Sequence, residues 1–389
     1  MKKGFLKGYI AGAVTIGVLG GVIFTGTRIY SLVVRSQSDK ISEKVSDKLD
    51  YLQLFINQYY LEDAGEADMD SGIYKGLVNS LGDPYSAYYT KEEYEELIES
   101  QSGEYKGIGV LVSQEKDTGI INILSVYDNT PAQEAGMKDG DILYKVEGEE
   151  VTGTDLDKVV ARIKGEEGST VKLTVYRESS GEYIDMEVVR RKIDVPTVSY
   201  EMVDKEEKIG YIAISQFDEK TDEHFMEAME DLQSQGMKSV VFDVRNNPGG
   251  LYETVCNMLD TLLPEGTIVY TMDKYGKKQE TTSDAECVEI PMAVLINGDS
   301  ASASEIFAGA IQDYDVGTII GTQSFGKGIV QSLMPLSDGS AIKLTVSKYY
   351  TPNGVNIHGT GIAPDVEVEQ PADSKEDVQL KKAIEELSK

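Results

Sequence analysis

Apolar and polar positions follow a helical period from about residue 36 to residue 100. In ISEKVSDKLDYLQLFINQYYLED, apolar residues recur three and four positions apart, at Val45, Leu49, Leu52 and Ile56. This spacing predicts a helix with one apolar stripe. Further on, Thr90 precedes another helical pattern, and Glu93 follows it in the arrangement of a capping box. Residues 36–101 are therefore predicted to form a helical arm.

Shorter apolar patterns follow the arm. Residues 102–190 contain short strand patterns and two helical ones, the longer over 154–164, which predicts a compact module. From 191 to 370, strand patterns such as SVVFDV, MAVLI and VGTII alternate with helical ones. This alternation is typical of an α/β layer. Residues 371–389 are predicted to be a C-terminal helical tail.

The N-terminus has the pattern of a membrane segment. After three lysines in the first seven residues, no charged residue occurs from Gly8 to Thr27. Such a stretch spans about 30 Å as a helix, the thickness of a bilayer's hydrocarbon core. This length favours an uncleaved anchor over a cleaved signal peptide, whose apolar region is shorter. Residues 1–35 thus predict a single-pass protein of the cell membrane, whose remaining chain is extracytoplasmic because the lysines stay in the cytoplasm.

Composition narrows the classes of function. The 389 residues carry a net charge of −30, and such a surface would repel the phosphates of nucleic acid. Cys256 and Cys287 make no C-x-x-C motif, and the sequence does not decide whether they pair. The two histidines form no H-E-x-x-H motif, so no metal site is predicted. His358 has no nearby acid to orient it, which favours a structural role over a triad role.

One segment imitates a nucleotide site. Residues 321–328, GTQSFGKG, nearly match the phosphate-binding loop G-x-x-x-x-G-K-[ST], but Gly328 stands where a magnesium-binding hydroxyl belongs. A phosphate loop must also lead into a helix, whereas the following IVQSLMPL begins with β-branched residues and predicts a strand. We therefore expect no nucleotide and no other cofactor.

Serines at a strand-to-helix turn are better chemical candidates. In MAVLINGDSASASEIFAGAIQD, a strand ends at Ile296 and a helix begins among the serines, where backbone N–H groups can stabilise an oxyanion. On local pattern alone, Ser302 and Glu305 also make a capping box, which is the simpler interpretation. The one S-x-x-K motif, Ser340 to Lys343, lies in an alternating strand whose ends point to opposite faces. We treat that match as accidental.

The module over 102–190 resembles a PDZ domain. The resemblance rests on YKGIGVLVS and on DNTPAQEAGMKDGDILYKVEGEEV. PDZ domains bind a peptide's C-terminal carboxylate with backbone N–H groups of a glycine-rich loop, and they pair the peptide as an added strand. The resemblance implies that the flanking helix here is 154–164 and that the loop consists of Gly107, Ile108, Gly109 and Val110.

From about residue 40 to 370, the chain resembles the carboxyl-terminal processing peptidases (tail-specific proteases) of the S41 type. The motifs that carry the resemblance are LGDPYSAYY, FDVRNNPGG, NGDSASASEIFAGAIQD, GTQSFGKGIVQ and HGTGIAPDVEVE. It implies that Ser302 is the nucleophile, 25 residues before Lys327 as general base. It also assigns Gln331 to positioning the lysine, and the backbone amides of Gly249 and Ala303 to an oxyanion hole.

Together these resemblances imply an α/β protein. An S41 (ClpP/crotonase-like) catalytic core carries an inserted PDZ domain, a helical arm and an N-terminal membrane anchor. The expected function is an extracytoplasmic serine endopeptidase that binds protein C-termini and hydrolyses peptide bonds with a Ser-Lys dyad. The family further implies that the PDZ domain gates the active site, and it allows dimerisation through the terminal arms. The alternative is a membrane-tethered PDZ adaptor with an inactive protease layer.

Overall fold

The computed structural model describes residues 43–62 and 68–389. The predicted membrane anchor, residues 1–35, lies outside the described residues. Among those that are described, no helix is long and apolar enough to cross a membrane. The chain divides into two compact units, one ending at Asp70 and the other running from Ser71 to Lys389.

The first unit contains helix α1 (Glu43–Tyr59), where the apolar stripe predicts a helix. Val45, Leu52 and Ile56 of that stripe are all exposed. The predicted helix is therefore confirmed, but these apolar side chains are not part of the described core.

Helix α2 (Met69–Asn79), strand β1 (Ala87–Tyr89) and helix α3 (Lys91–Gln101) follow. The capping box of α3 is confirmed: Thr90 Oγ1 accepts from the Glu93 N–H (3.3 Å), and the Glu93 carboxylate accepts from the Thr90 N–H (2.9 Å). Strand β1 corrects the prediction of an entirely helical arm. It pairs with a strand at 341–350, a partner so distant in sequence that no local pattern could indicate it.

The next part is a small antiparallel sheet with two helices. Strands β2 (Glu104–Gly107) and β9 (Arg191–Asp194) form a separate two-stranded pair at the two chain ends of this part. The sheet order is β3-β4-β5-β7-β8, with β6 beside β5. Its strands are β3 (Val110–Gln114), β4 (Ile121–Val126), β5 (Ile142–Val146), β6 (Glu149–Glu150), β7 (Thr170–Arg177) and β8 (Glu182–Val189). Helices α4 (Pro131–Glu134) and α5 (Leu156–Ile163) bury apolar side chains against it, which confirms the predicted module of strands and two helices.

The rest of the unit contains two further sheets and the helices that pack on them. A six-stranded sheet has the order β10-β11-β12-β15-β16-β19, parallel except for β10 with β11. Its strands are β10 (Val198–Asp204), β11 (Ile209–Ile214), β12 (Ser239–Asp243), β15 (Met292–Ile296), β16 (Gly317–Gly321) and β19 (Val366–Glu367). The other sheet is antiparallel and contains β1 together with β13 (Gly266–Asp273), β14 (Lys278–Ser283), β17 (Ile329–Pro335) and β18 (Ala341–Tyr350). Its order is β1-β18-β13-β14, and β17 also pairs with β18.

Helices cover both faces of the six-stranded sheet. Three pack on one face, α6 (Thr221–Ser234), α7 (Tyr252–Asp260) and α8 (Ala303–Asp313), and α9 (Val378–Leu387) packs on the other. Because side chains alternate along a strand, Val240 and Phe242 of β12 join the cluster of the three helices, while Val241 joins that of α9. The predicted α/β layer is confirmed, and α9 is the helix predicted in the C-terminal tail.

Strands β12 and β15 are parallel neighbours, so their carboxyl ends meet at one edge of the sheet. Ligands of open α/β sheets bind at this edge. The loops that follow the two strands have an unusual backbone, with positive φ at Asn246, Gly249, Gly250 and Ser302. Backbone strain of this kind is often found at functional sites.

Candidate active site

Ser302 immediately precedes helix α8 at this edge. Its φ of 56° and ψ of −111° are rare for a residue other than glycine, so surrounding contacts must hold its backbone. The hydroxyls of the neighbouring serines already donate hydrogen bonds to other groups. Ser300 Oγ donates to the Val244 carbonyl (2.7 Å) and Ser304 Oγ to the Asn247 carbonyl (2.9 Å), and both serines are buried. Ser302 is the serine of this run that lines an open cavity.

Lys327 lies in loop 322–328, between β16 and β17. A strand, not a helix, follows the GTQSFGKG segment, which agrees with the rejection of a phosphate loop. Lys327 and Ser302 line the same cavity, which has a volume of about 660 Å³. The structure therefore brings the predicted nucleophile and the predicted base to one site.

A buried carboxylate ties the backbones of these two residues together. Glu305 is 1% exposed, and its Oε2 accepts the N–H groups of Ser302 (2.8 Å) and Lys327 (2.8 Å). Its Oε1 accepts the Ser324 hydroxyl (2.6 Å) and the Gly326 N–H (2.7 Å). Hydrogen bonds to an ionised acceptor are stronger than neutral ones. Since Glu305 belongs to α8, it holds loop 322–328 against the start of that helix.

The hydroxyl of Tyr349 ties the same two backbones from the other side. It lies 2.6 Å from the carbonyl oxygen of Lys327 and 3.0 Å from that of Ser302. Tyr349 is buried in β18, and burial raises the pKa of its hydroxyl well above the ordinary value, so the group stays a donor. The N–H groups of Ser302 and Lys327 are thus held by Glu305, and their carbonyls by Tyr349.

The surroundings of Lys327 favour its neutral form. Burial lowers its pKa below the ordinary lysine value, and the nearby ammonium group of Lys343 lowers it further. The Glu305 carboxylate acts in the opposite direction. The Nζ atom lies 5.0 Å from the ring centre of Tyr85. A lower pKa increases the fraction of free amine, the form that can accept a proton.

Gln331, on β17, also lines the cavity. Its Nε2 donates to Thr345 Oγ1 on the adjacent strand β18, at 3.3 Å. The structure thus places Gln331 at the predicted site, with its amide bonded to the neighbouring strand. Its assignment to positioning the lysine stays a prediction.

The predicted oxyanion donors lie beside Ser302. A Cβ atom on Gly249 would come within 2.8 Å of Ser302 Cβ and 3.0 Å of the Ala303 nitrogen, so only glycine allows this approach. Ala303 is the first residue of α8, and the first N–H groups of a helix have no intrahelical partner. The Gly249 N–H, however, donates to Asn247 Oδ1 (2.8 Å). The predicted Gly249 donor therefore already has an acceptor within its own loop, the side chain of Asn247.

The histidine and the cysteines considered above are not among the described residues that line this cavity. His358 is exposed, and it is not one of the described residues that line the cavity. Cys256 and Cys287 are free thiols. Burial raises the pKa of Cys256 to about 12, so it stays an unreactive core thiol. Within residues 43–62 and 68–389, no group of three or more His, Cys, Asp or Glu side chains could hold a metal ion.

The predicted carboxylate-binding loop connects β2 to β3. Gly107 ends β2 and Val110 begins β3, while Ile108 is buried in the module core. Gly109 has a φ of 87°, and a Cβ atom there would come within 2.4 Å of the Thr130 side chain, so glycine is required. Strand β3 and helix α5 line a second cavity, of about 1010 Å³. The observed helix is slightly shorter than the predicted 154–164.

The sequence patterns did not indicate three residues of the site as functional. Glu305 was visible only as a capping-box partner of Ser302, and nothing marked its bonds to the lysine loop. Tyr349 lies in a strand pattern with no local signal. Lys343 was dismissed with the S-x-x-K motif, and its link to Ser340 is indeed absent, since the Ser340 hydroxyl donates to Asp338 (2.6 Å). Lys343 nevertheless lines the cavity with Lys327.

A serine at a helix N-terminus that shares a cavity with a lysine of lowered pKa supplies a candidate nucleophile and a candidate base. The family comparison is more specific. The model of peptidase family S41 matches residues 208–368, and a PDZ domain model matches residues 123–177. The chain belongs to peptidase family S41.

Relatives and solved structures agree with this assignment. A carboxy-terminal-processing protease of Bartonella bacilliformis is 41% identical over 310 residues, 77% of this chain and 69% of the relative. A probable CtpA-like serine protease of Staphylococcus haemolyticus is 36% identical over 364 residues, 91% of this chain and 72% of the relative. The solved photosystem II D1 C-terminal processing protease has a TM-score of 0.51 at 25% identity, covering 93% of this chain and 96% of that one. The protein is thus a serine protease of this family with a PDZ domain.

Proposed function

We propose that this protein is a C-terminal processing endopeptidase in which Ser302 is the nucleophile and Lys327 the general base. The observation that carries the proposal is the double tie between the two backbones through Glu305 and Tyr349. A fully satisfied buried polar network favours one arrangement, and this one holds the main chains of Ser302 and Lys327, which supports the proposal. The name of the Bartonella bacilliformis relative supports the reaction class.

In the acylation step, Ser302 Oγ attacks the carbonyl carbon of the scissile bond while the neutral Nζ of Lys327 accepts the hydroxyl proton. Lys327 then donates that proton to the leaving amine as the C–N bond breaks. In deacylation, a water molecule attacks the ester carbon and gives a proton to Lys327. The acid product leaves, and the proton returns to Ser302 Oγ.

The pKa of Lys327 decides whether this mechanism is fast enough. A lysine with a pKa of about 10.4 is neutral in about one molecule in a thousand near pH 7.4, a loss worth about 4 kcal/mol of barrier. Burial and the charge of Lys343 lower the pKa of Lys327 and so recover part of this loss. We assign Gln331, which lines the same cavity, to positioning the lysine.

The oxyanion hole in this proposal consists of two backbone N–H groups, from Ala303 and Gly249. The Ala303 N–H stands at the helix N-terminus, where developing negative charge is stabilised. The Gly249 N–H must first leave Asn247 Oδ1, so substrate binding would have to reorganise this loop.

Substitution of either member of the dyad tests the proposal. Ser302→Ala and Lys327→Ala are each expected to lower kcat/KM on a casein-derived peptide by about 10³-fold or more, with a nearly unchanged melting temperature. His358→Ala is the control and should retain activity, and chelators should have no effect. Full activity in Ser302→Ala would reject the nucleophile, while no hydrolysis by the unsubstituted protein would favour the membrane-tethered PDZ adaptor.

The PDZ module is proposed to dock the substrate's C-terminus, and residues 1–35 to anchor the protein in the cell membrane with its catalytic part extracytoplasmic. The charge-free stretch behind three lysines supports the anchor. Digestion of intact cells by an added protease should remove the catalytic part, and full protection would contradict this orientation. Dimerisation through the arm stays a prediction, which sedimentation of the purified protein at several concentrations would check.

A further inference from the structure

An ion pair between two elements lies in the lining of the second cavity, called the PDZ cavity from here on. Helix α3 contributes Glu96 and Glu99 to the lining of this cavity. Lys164, which directly follows α5, also lines it, and its Nζ lies 2.5 Å from Glu99 Oε2. The N–H of the next residue, Gly165, donates to the Lys106 carbonyl of β2 (3.4 Å). The pair therefore lies beside the strand that leads into the loop.

Tyr105 connects the ion pair to the loop itself. Its ring lies 5.3 Å from Lys164 Nζ, and a Cβ atom on Gly107 would come within 2.4 Å of its Cε2 atom. Burial raises the pKa of the Tyr105 hydroxyl to about 12, and the N–H groups of Val110 and Gly109, which face this oxygen, act in the opposite direction. These are amides of the loop that would bind a peptide carboxylate.

The charge of the cavity makes Lys164 important for an anionic ligand. Among the described residues that line it, Lys164 is the one basic residue, and the acidic ones are Glu96, Glu99, Glu104, Asp157 and Asp218. A peptide carboxylate would be repelled by this lining unless Lys164 balanced its charge. As long as Glu99 holds Lys164, that charge is already neutralised.

The ion pair is weak enough to be exchanged. The side chains of Lys164 and Glu99 are 39% and 37% exposed, and pairs of this kind contribute at most about 1 kcal/mol. An incoming carboxylate that gains both Lys164 and the loop amides can therefore replace Glu99. The apolar lining beside it, from Ile108, Val110 and Val160, suits an apolar last residue.

We propose that Glu99 is a built-in competitor for the substrate's C-terminal carboxylate, and that Lys164 is the side chain for which the two compete. In the absence of a peptide, Glu99 of helix α3 thereby occupies Lys164 and keeps it from binding a carboxylate. A peptide with a free carboxylate and an apolar last residue displaces Glu99 and pairs with Lys164 instead. This inference rests on the proposed peptide-docking function of the PDZ module and extends it to a specificity residue and its regulation.

The test measures peptide binding by the full chain in a Ser302→Ala background, which prevents cleavage. The probe is a short fluorescent peptide ending in valine, prepared as the free acid and as the C-terminal amide. Glu99→Gln should tighten binding of the acid about five-fold and leave the amide unchanged, since it removes the competitor. Lys164→Gln should weaken binding of the acid and reduce its preference over the amide, while the loop amides keep part of that preference.

Glu96→Gln is the matched control, because it removes the same charge from the same helix and the same cavity. Tyr105→Phe, which removes only the oxygen that faces the loop amides, is a second variant and should also tighten the acid. If Glu99→Gln behaves like Glu96→Gln, or if Lys164→Gln prefers the acid as strongly as the unsubstituted site does, the proposed competition is wrong while the docking function stands. If every variant and the unsubstituted site bind acid and amide equally, both proposals fail.

Discussion

The catalytic cavity and the PDZ cavity of the second unit are held together in opposite ways. At the catalytic cavity, buried side chains fix irregular loops: Glu305 and Tyr349 are each 1% exposed and hold the main chain around Ser302 and Lys327. At the PDZ cavity, a regular strand and helix form the walls, and the polar pair in its lining is more than one third exposed. Breaking a buried charged network is strongly destabilising, whereas a partly exposed pair exchanges easily.

One segment of the chain reaches both cavities. The ring of Tyr85 faces Lys327 Nζ, and Ala87 of β1 pairs with Lys343 of β18. Helix α3 follows within the same segment and carries Glu99 to the PDZ cavity. Residues 85–101 therefore form a short covalent path between the exchangeable pair and the fixed site.

The largest effect on stability is expected from disrupting the hydrogen bonds of Glu305 at the catalytic cavity. Glu305→Gln replaces an acceptor of four hydrogen bonds by an amide with one acceptor oxygen and two additional donors. Buried donors left without partners destabilise a fold by about 1–3 kcal/mol each. We expect the free energy of unfolding in urea to fall by about 3 kcal/mol or more, together with most of the activity.

Glu253→Gln is the control for this substitution. Glu253 lines the same cavity from α7, but it is exposed, so its replacement should leave stability nearly unchanged. Equal unfolding curves for the two variants would mean that the Glu305 network does not hold the site.

The same contrast separates what sequence patterns can predict from what they cannot. The regular elements around the PDZ groove follow from local apolar periodicity, and so do β12, β15 and α8 in the catalytic layer. Ser302 and Lys327 were identified from long motifs, and the structure brings them to one cavity. Strand β1 was missed because its pairing with β18 is a contact between residues far apart in the sequence.

The side-chain contacts that tie these parts together have no local signature. The Glu305–Lys327 and Tyr349–Ser302 contacts join different elements, so no spacing rule applies to them. The Gly249 prediction shows the same limit, since the motif locates the amide beside Ser302 but not its bond to Asn247. A sequence pattern predicts where a group lies more readily than it predicts the group's hydrogen-bond partner.

A smaller effect is expected on the pH dependence of catalysis. Lys343→Met removes an ammonium group that lowers the pKa of Lys327, so the pKa of Lys327 should rise. Activity needs the neutral amine, so the limb of kcat/KM that increases with pH should move to higher pH, with lower activity at neutral pH and a retained plateau. Lys348→Met, on the same strand but exposed and outside the cavity lining, is the control and should leave the limb in place. If the limb of Lys343→Met stays where it was or moves to lower pH, the charge of Lys343 does not tune the base, and burial alone must account for the lowered pKa of Lys327.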